Sequence, residues 1–219
     1  MDYAKLYKDE PYYVKVKETD ADWAVWRMNN EKRIYVRFEG THSFKDALID
    51  LCFFQSKVAA YDGADWEAHA GFKKAYYSCR DEVLDKCYEL YQEGDDFTIL
   101  GHSLGGAMAL LAVEDIGWHF KKKVLCITWG APRVAKDEKG KNAINAYMTD
   151  DSYNFENGSD LVPNLPWWFQ TSPRVAHIGE AKYSNKKALK DVLFNKCSKY
   201  HCGYGNEAIY TDFLSKLRA

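Results

Sequence analysis

97-FTILGHSLGGAMALLAV-113 joins two apolar runs through a serine that lies between glycines. The first run is short and typical of a buried strand, and the second, rich in Ala and Leu, is typical of a helix. A serine that only capped the helix would not need glycine both two residues before it and two residues after it. The G-x-S-x-G pattern at such a junction predicts a sharp turn that exposes a hydroxyl at a helix N-terminus. We therefore predict that Ser103 is a nucleophile.

The composition is that of a folded protein without a surface for polyanions. The chain has 219 residues, of which 47% are hydrophobic and 16% aromatic, and its formal net charge is -2. This is ample material for a packed core, and the balanced charge gives no electrostatic attraction for nucleic acid. No apolar run reaches the roughly 18 residues of a membrane span. We expect neither a nucleic-acid partner nor a transmembrane segment.

The N-terminus and the cysteines bear on the compartment. The first residues, MDYAKLYKDEPYY, are polar and charged and lack the apolar core of a secretory leader. The 6 cysteines are expected to be reduced thiols, and no CxxC pair indicates structural zinc. We therefore expect a cytoplasmic protein without a bound metal, or a secreted protein if a leader has been trimmed from the chain.

Strand and helix patterns alternate from residue 71 onward. The predicted helices there cover 71–91, 103–119, 137–148, 185–195 and 206–217, and the predicted strands cover 97–100, 123–129, 152–156 and 175–178. Before residue 71, strands are predicted over 12–16, 23–26, 33–38 and 58–61, and an amphipathic helix over 44–54. This alternation indicates the α/β class, with a mostly parallel sheet covered by helices on both faces.

A serine nucleophile needs a general base and an acid that orients the base. In proteins built around this elbow the histidine follows the serine in sequence, which leaves His177 and His201 as candidates. His102 is adjacent in sequence and is expected to point away from the elbow, and His119 lies far along the same predicted helix. His177 falls in a predicted strand, where it would be packed or hydrogen-bonded. His201 lies in a turn before the last helix, so the spacing favours His201 without excluding His177.

Asp160 is the best candidate for the acid. It follows a predicted strand and precedes a loop stiffened by prolines, 158-GSDLVPNLPWWFQTSP-173. Asp150, Asp151 and Asp191 remain alternatives, although a solvated surface position is the usual fate of an aspartate.

Seven segments together resemble the class 3 lipase family, which contains fungal triacylglycerol lipases and related feruloyl esterases. In chain order they are 38-FEGTHSFKDALIDL-51, 68-AHAGFKKAY-76, 99-ILGHSLGGAMALL-111, 128-TWGAPRVA-135, 155-FENGSDLVPNLP-166, 177-HIGEAKY-183 and 201-HCGY-204. They span most of the chain in the family's order. The resemblance implies an α/β-hydrolase fold and a single domain over residues 1–219.

The resemblance implies a role for each of five residues. Ser103 matches the nucleophile, Asp160 in N-x-x-D-x-V-P-x-L-P matches the triad acid, and His201 in H-x-x-Y matches the base. Thr41 and Leu104 match the two residues whose backbone N–H groups form the oxyanion hole.

Other parts of the resemblance concern the surroundings of the site. His177 matches a family position outside the triad, which favours His201 as the base, and Glu39 stands where the family usually has Arg, so any ion pair made there is lost or reversed. The segment 42–54 lies where lipases carry a lid. Its predicted amphipathic helix suits a lid that faces lipid when open, and it suits an ordinary core helix equally well. Residues 166–169, PWWF, could form a second apolar contact or a buried corner.

The implied function is hydrolysis of carboxylic esters, of which acylglycerols and other lipid esters are the first expectation, through an acyl-enzyme on Ser103. No metal or cofactor is required, and transient contact with a lipid interface is expected through residues 42–54. Three alternatives stay open: an esterase for short-chain or aromatic (feruloyl-type) esters, an acyltransferase with the same triad, and a non-catalytic binding protein on a hydrolase scaffold.

Overall fold

The computed structural model describes residues 1–8, 11, 13–14, 22–39, 58–60, 66–180 and 198–217. Several predictions fall outside these residues. They are Thr41 of the expected oxyanion hole, the expected lid over 42–54, the predicted helices over 44–54 and 185–195, Asp191, and most of the predicted strand over 12–16.

The strands in the described part of the chain are β1 (Trp23–Met28), β2 (Arg33–Phe38), β3 (Val58–Ala60), β4 (Glu67–His69), β5 (Asp96–His102), β6 (Leu125–Trp129), β7 (Tyr153–Asn157) and β8 (Val175–Ile178). Six of them form one sheet in the order β1-β2-β5-β6-β7-β8, while β3 pairs only with β4. β1 is antiparallel to β2, and all later neighbours in the large sheet are parallel. The predicted mostly parallel sheet is therefore confirmed.

The helices in the described part are α1 (Tyr3–Lys8), α2 (Ala70–Tyr77), α3 (Arg80–Leu90), α4 (Leu104–Phe120), α5 (Glu138–Ala146), α6 (Ser198–His201) and α7 (Thr211–Leu217). Short 3-10 turns cover Val162–Asn164, Gly203–Gly205 and Glu207–Tyr210. The predicted helix over 206–217 is thus a 3-10 turn followed by an α-helix. None of the helices in these described segments is long and apolar enough to cross a membrane.

The large sheet separates two hydrophobic cores because neighbouring residues of a strand point to opposite faces. In β5, Ile99 faces the larger core, with the side chains of α2 to α5, and Leu100 faces the smaller core. The smaller core is closed by α1 and by the C-terminal segment, with Tyr3 and Tyr210 buried in it. Helix α4 is apolar on all sides and buried continuously from Gly105 to Val113, as expected for a helix at the centre of the molecule.

The single helix predicted over 71–91 is in fact two helices, α2 and α3. The hydroxyl of Ser78 donates to the carbonyl of Ala75 at 2.7 Å, and Cys79 leaves the helical region with φ -132 and ψ -1. A serine side chain that bonds to its own helix in this way competes with the helical backbone, which explains the break. After the break, the guanidinium of Arg80 donates two hydrogen bonds to the carboxylate of Asp115 in α4 and so forms a bidentate ion pair.

Candidate functional site

Ser103 lies in the sharp turn between β5 and α4. Its φ of 55 and ψ of -122 are rare for a residue other than glycine. The turn is fixed on both sides, since the N–H of Ser103 donates to the carbonyl of Trp129 at 3.0 Å and the carbonyl of Ser103 accepts from Ala107 at 3.1 Å. The side chain of Ser103 makes no capping hydrogen bond to the helix. The alternative that this serine is only a helix cap is therefore wrong.

The glycines around Ser103 allow the strand, the helix and the neighbouring strand to approach closely. A Cβ at Gly101 would lie 2.2 Å from the carbonyl oxygen of Gly105, and a Cβ at Gly105 would lie 2.2 Å from the carbonyl oxygen of Phe38. A Cβ at Gly106 would lie 2.6 Å from the Cβ of Ala131. No side chain fits at these three positions, so the glycine pattern read in the sequence is a requirement of packing around the elbow.

Asp160 and His201, which the sequence placed far apart, form a buried pair. Asp160 lies just beyond the carboxyl end of β7, where its N–H donates to the carbonyl of Asn157 at 2.9 Å. The Nδ1 of His201 lies 2.9 Å from the Oδ2 of Asp160, and the two residues are 0% and 2% exposed. With the Nδ1 proton directed to the carboxylate, the proton-accepting lone pair of the imidazole is on Nε2.

Two further donors hold the carboxylate of Asp160. The N–H of Val162 donates to Oδ1 at 3.0 Å, and the hydroxyl of Tyr204 donates to Oδ2 at 2.6 Å. Burial, and then the charge of Asp160, raise the pKa of Tyr204 well above its ordinary value, so this hydroxyl keeps its proton. The tyrosine of the H-x-x-Y segment is a site residue whose contact with Asp160 the sequence reasoning missed.

The side chain of His102 contacts the backbone of His201, a contact that was not expected from the sequence. Its Nε2 lies 2.7 Å from the carbonyl oxygen of His201 and must donate there, because a carbonyl only accepts. The two imidazole rings pack with centroids 4.6 Å apart. Burial, and then the neighbouring His201, lower the pKa of His102 to about 3, so His102 is neutral at ordinary pH.

Gly130 follows β6 and lies against the Asp160–His201 pair. It has a φ of +60, and a Cβ at this position would lie 2.8 Å from the Oδ2 of Asp160 and 2.8 Å from the Cε1 of His201. Any side chain here would displace one of the two partners. This glycine is part of the segment TWGAPRVA, but its proximity to the pair could only be seen in the structure.

The alternative histidines and acids lie elsewhere. His177 is on β8 with its side chain 76% exposed and its Nδ1 3.4 Å from the Oε2 of Glu156. Of the two possibilities expected for it, it is therefore not packed in a core but in polar contact with a carboxylate. His119 lies 3.7 Å from Asp115 near the end of α4. Asp150 pairs with Arg174 at 2.9 Å with its side chain 91% exposed. Asp151 is likewise exposed.

The start of α4 presents backbone N–H groups that have no partner within the helix. Leu104 is the first residue of the helix, so its N–H is one of the first four, which have no partner within the helix. The end of β2 approaches the same point, as the contact between Gly105 and Phe38 shows. Beyond β2, Glu39 accepts from the hydroxyl of Tyr13 at 2.8 Å and lies 3.7 Å from Arg37. Glu39 therefore forms an ion pair with Arg37, in which the residue at position 39 carries the negative charge.

The loop after Asp160 is partly a buried corner and partly an exposed surface. Phe169 is 3% exposed, and its ring lies 5.6 Å from that of His69. Trp167 and Trp168 are 63% and 45% exposed.

In the described part of the chain, no group of three His, Cys, Asp or Glu side chains could hold a metal ion. The cysteines described there, Cys79, Cys87, Cys126 and Cys202, are free thiols.

Comparison with known proteins places this geometry in a family. A family model described as lipase (class 3) matches residues 35–170. The chain is 31% identical over 157 residues to a lipase from Rhizopus niveus, covering 68% of this chain and 38% of that protein. It is 26% identical over 137 residues to the secreted mono- and diacylglycerol lipase A of Penicillium cyclopium, covering 61% of this chain and 43% of that protein.

Solved structures agree with the α/β-hydrolase fold. A propeptide complex of the Rhizomucor miehei lipase is 26% identical and superposes with a TM-score of 0.66 over 77% of this chain and 54% of that chain. Lipase II from Rhizopus niveus is 21% identical, with a TM-score of 0.68 over 86% of this chain and 77% of that chain, and this likeness supports the fold alone. The chain spans 38% and 43% of the two curated relatives named above. Because the family model covers more than half of its residues, the chain belongs to the class 3 lipase family.

Proposed function

We propose that this chain is a serine hydrolase that cleaves the carboxylic esters of lipids through an acyl-enzyme on Ser103. One observation carries the proposal: a positive-φ serine at the elbow occurs together with a buried hydrogen bond of 2.9 Å between Asp160 and His201. A strained serine turn and a buried acid–imidazole pair are the parts that acyl transfer by a serine requires.

In the proposed reaction, the Nε2 of His201 accepts the hydroxyl proton of Ser103 as the serine oxygen attacks the ester carbonyl. Asp160 accepts from Nδ1, which fixes the tautomer and stabilises the imidazolium that forms. His201 then gives the proton to the departing alcohol. A water molecule gives a proton to the same Nε2 and attacks the acyl-enzyme. His201 then returns this proton to the Oγ of Ser103 as the bond to the acyl group breaks, which releases the carboxylic acid and restores the serine hydroxyl.

The N–H of Leu104 stabilises the oxyanion of the tetrahedral intermediate in this proposal, and the N–H of Thr41 is the second donor. The position of Leu104 at the first turn of α4 supports its part, whereas Thr41 is proposed from the family resemblance alone. The reaction uses protein groups and water throughout, so the proposal includes no cofactor.

Acylglycerols are the substrate class we propose. The relatives include a protein named for mono- and diacylglycerols, and a lipase fold surrounds the site here. We extend the proposal to a single hydrolase domain over residues 1–219 and to a secreted location. Relatives are named as secreted, and the cytoplasmic location expected from the sequence has no support among them.

The experiment is hydrolysis of p-nitrophenyl esters from acetyl to palmitoyl, and of mono-, di- and triacylglycerols, by wild-type protein and by Ser103→Ala. We expect the substitution to lower turnover by roughly 10⁴-fold or more. Ser215→Ala is the matched control, because Ser215 is exposed on α7, where its hydroxyl donates to the carbonyl of Asp212. Preference for short soluble esters over acylglycerols would contradict the substrate class, and full turnover by Ser103→Ala would contradict the mechanism.

A further inference from the structure

Two neighbouring tryptophans are exposed in a loop that is otherwise well packed. Trp167 is 63% and Trp168 45% exposed, and their rings meet edge to face with centroids 4.7 Å apart. On either side, Leu165 and Phe169 are each only 3% exposed. We call Trp167 and Trp168 the indole pair. Aromatic rings of this size are large apolar surfaces, and two side by side form a contiguous patch.

The backbone beneath the indole pair is held in place by Arg133. Its guanidinium donates to the carbonyls of Trp167 at 3.2 Å and Phe169 at 3.1 Å and to the side-chain oxygen of Asn164 at 3.1 Å. The N–H of Gln170 donates to the carbonyl of Ala135 at 2.9 Å. The loop is therefore rigid where it presents the indoles, so little conformational entropy is lost when a partner covers them.

The loop that carries the indole pair begins at the edge of the sheet where β5 turns into the elbow. In the large sheet, β2, β5, β6, β7 and β8 are parallel, so their carboxyl ends share one edge. The loop leaves β7 at that edge, passes Asp160 and reaches the pair, and Arg133 follows the carboxyl end of β6. The backbone that carries the pair is thus bound to the segment that follows β6 at the edge where Ser103 lies.

We propose that the indole pair anchors the protein to a lipid surface during hydrolysis. The choice of a lipid surface as the occupant rests on the proposed function, because an ester presented by such a surface would meet the protein at the edge that carries Ser103. Tryptophan suits this role physically, since its ring is apolar and its N–H remains satisfied at the level of lipid headgroups. In the sequence, the indole pair lies outside the segment 42–54 that was expected to form a lid.

A vesicle-partition experiment tests the anchor. All proteins carry Ser103→Ala so that the lipid is not consumed, and the vesicles contain phosphatidylcholine with diacylglycerol. The test variant is Trp167→Ala with Trp168→Ala. The matched control is Trp118→Ala, because Trp118 is 55% exposed near the far end of α4, about 21 Å along the helix from Leu104. We expect the double substitution to lower the partition coefficient roughly tenfold or more and the control to leave it unchanged.

Failure of the anchor can be told apart from failure of the proposed function. Hydrolysis of dissolved p-nitrophenyl butyrate is measured on the same substitutions with Ser103 intact, and the double variant is expected to retain the wild-type kcat/KM. No turnover by folded wild-type protein would refute the function, while partition would still report on the anchor. Equal partition of the double variant and its parent, or an equal loss in Trp118→Ala, would overturn the anchor. Unchanged partition with a shift from dimer to monomer in sedimentation would assign the pair to a protein contact and would likewise overturn it.

Discussion

The Nε2–H of His102 donates to the carbonyl of His201 across 2.7 Å. The residue immediately before the serine of the elbow thus holds the backbone of the histidine that lies next to Asp160. This bond joins the end of β5 to α6, two elements far apart in the sequence. In the proposed mechanism it keeps the attacking serine and its base in a constant relationship, since an ångström of misplacement in such a site can cost orders of magnitude in rate.

Replacement of His102 tests this relationship. His102→Phe removes the donor and leaves the carbonyl of His201 buried without it, which costs about 1–3 kcal/mol; we expect kcat for a soluble ester to fall roughly tenfold or more, with KM little changed. His102→Gln retains an N–H at a similar reach and should recover most of the activity. The ratio of kcat in the two variants is the measurement. Equal kcat in both variants would show that the hydrogen bond does not position His201.

The lowered pKa values of two buried histidines, His102 and His69, determine how stability is expected to depend on pH. In the unfolded chain an imidazole takes up a proton below about pH 6.5, whereas burial lowers the pKa of His102 to about 3 and that of His69 to about 4. Below pH 6.5 the unfolded chain binds more protons than the folded chain, so stability is greatest above pH 6.5 and decreases as the pH is lowered.

Between pH 7 and pH 5 the free energy of unfolding should fall by about 2 kcal/mol for each such histidine. Urea denaturation at pH 7 and pH 5 measures this, and His102→Gln should reduce the difference between the two values by that amount. His177→Gln is the control because its side chain is 76% exposed. If the free energy of unfolding of His102→Gln fell between pH 7 and pH 5 as much as that of the wild type, this would contradict the burial of a neutral imidazole at position 102.

Alanine substitutions at Gly130 and Gly94 distinguish the effect of backbone strain from the effect of disturbing the Asp160–His201 pair. Both have positive φ, +60 and +93, but a Cβ at Gly94 meets nothing within 4 Å, whereas one at Gly130 meets Asp160 and His201 at 2.8 Å. We expect Gly130→Ala and Gly94→Ala each to lose about 1 kcal/mol of stability from the left-handed backbone. Only Gly130→Ala should lose most of its ester hydrolysis. Similar activity in the two variants, measured below their melting temperatures, would show that the packing at Gly130 does not matter to the reaction.

Asp115 is predicted to be structural. Its carboxylate accepts two hydrogen bonds from Arg80 and one from the hydroxyl of Tyr76 at 3.0 Å. Asp115→Ala leaves these donors without their partner and should lower the free energy of unfolding by about 2 kcal/mol, while kcat/KM at a temperature where the protein is folded stays near the wild-type value. Asp160→Ala, by contrast, should lower kcat/KM strongly. A loss of kcat in folded Asp115→Ala comparable to that in Asp160→Ala would contradict this assignment.

The elbow could be predicted from the sequence because its cause is local. The turn requires small residues at fixed spacing around Ser103, and all of these residues lie within a few consecutive positions of the sequence. The alternation that indicates a parallel sheet is local in the same sense, since each strand and helix carries its own apolar pattern. These features therefore agree with the structure in type, with differences at the ends of elements.

The remainder of the site depends on contacts between distant segments. Tyr204 and His102 each contact a partner many residues away, and nothing in their own surroundings in the sequence signals the contact. The exposure of His177 has the same origin, because a residue of β8 points either to a core or to solvent according to how the sheet is covered. The break at Ser78 was missed because the periodic apolar pattern continues through it, while one side-chain hydrogen bond decides the local conformation.

Covalent labelling tests the central claim most directly. A fluorophosphonate reacts with a serine only when the hydroxyl is activated, and peptide mapping identifies the labelled residue. We predict a single label on Ser103 in the wild-type protein, a labelling rate reduced by roughly 10³-fold or more in His201→Asn, and a normal rate in His177→Asn. A label on another residue, or an unchanged rate in folded His201→Asn, would contradict the account.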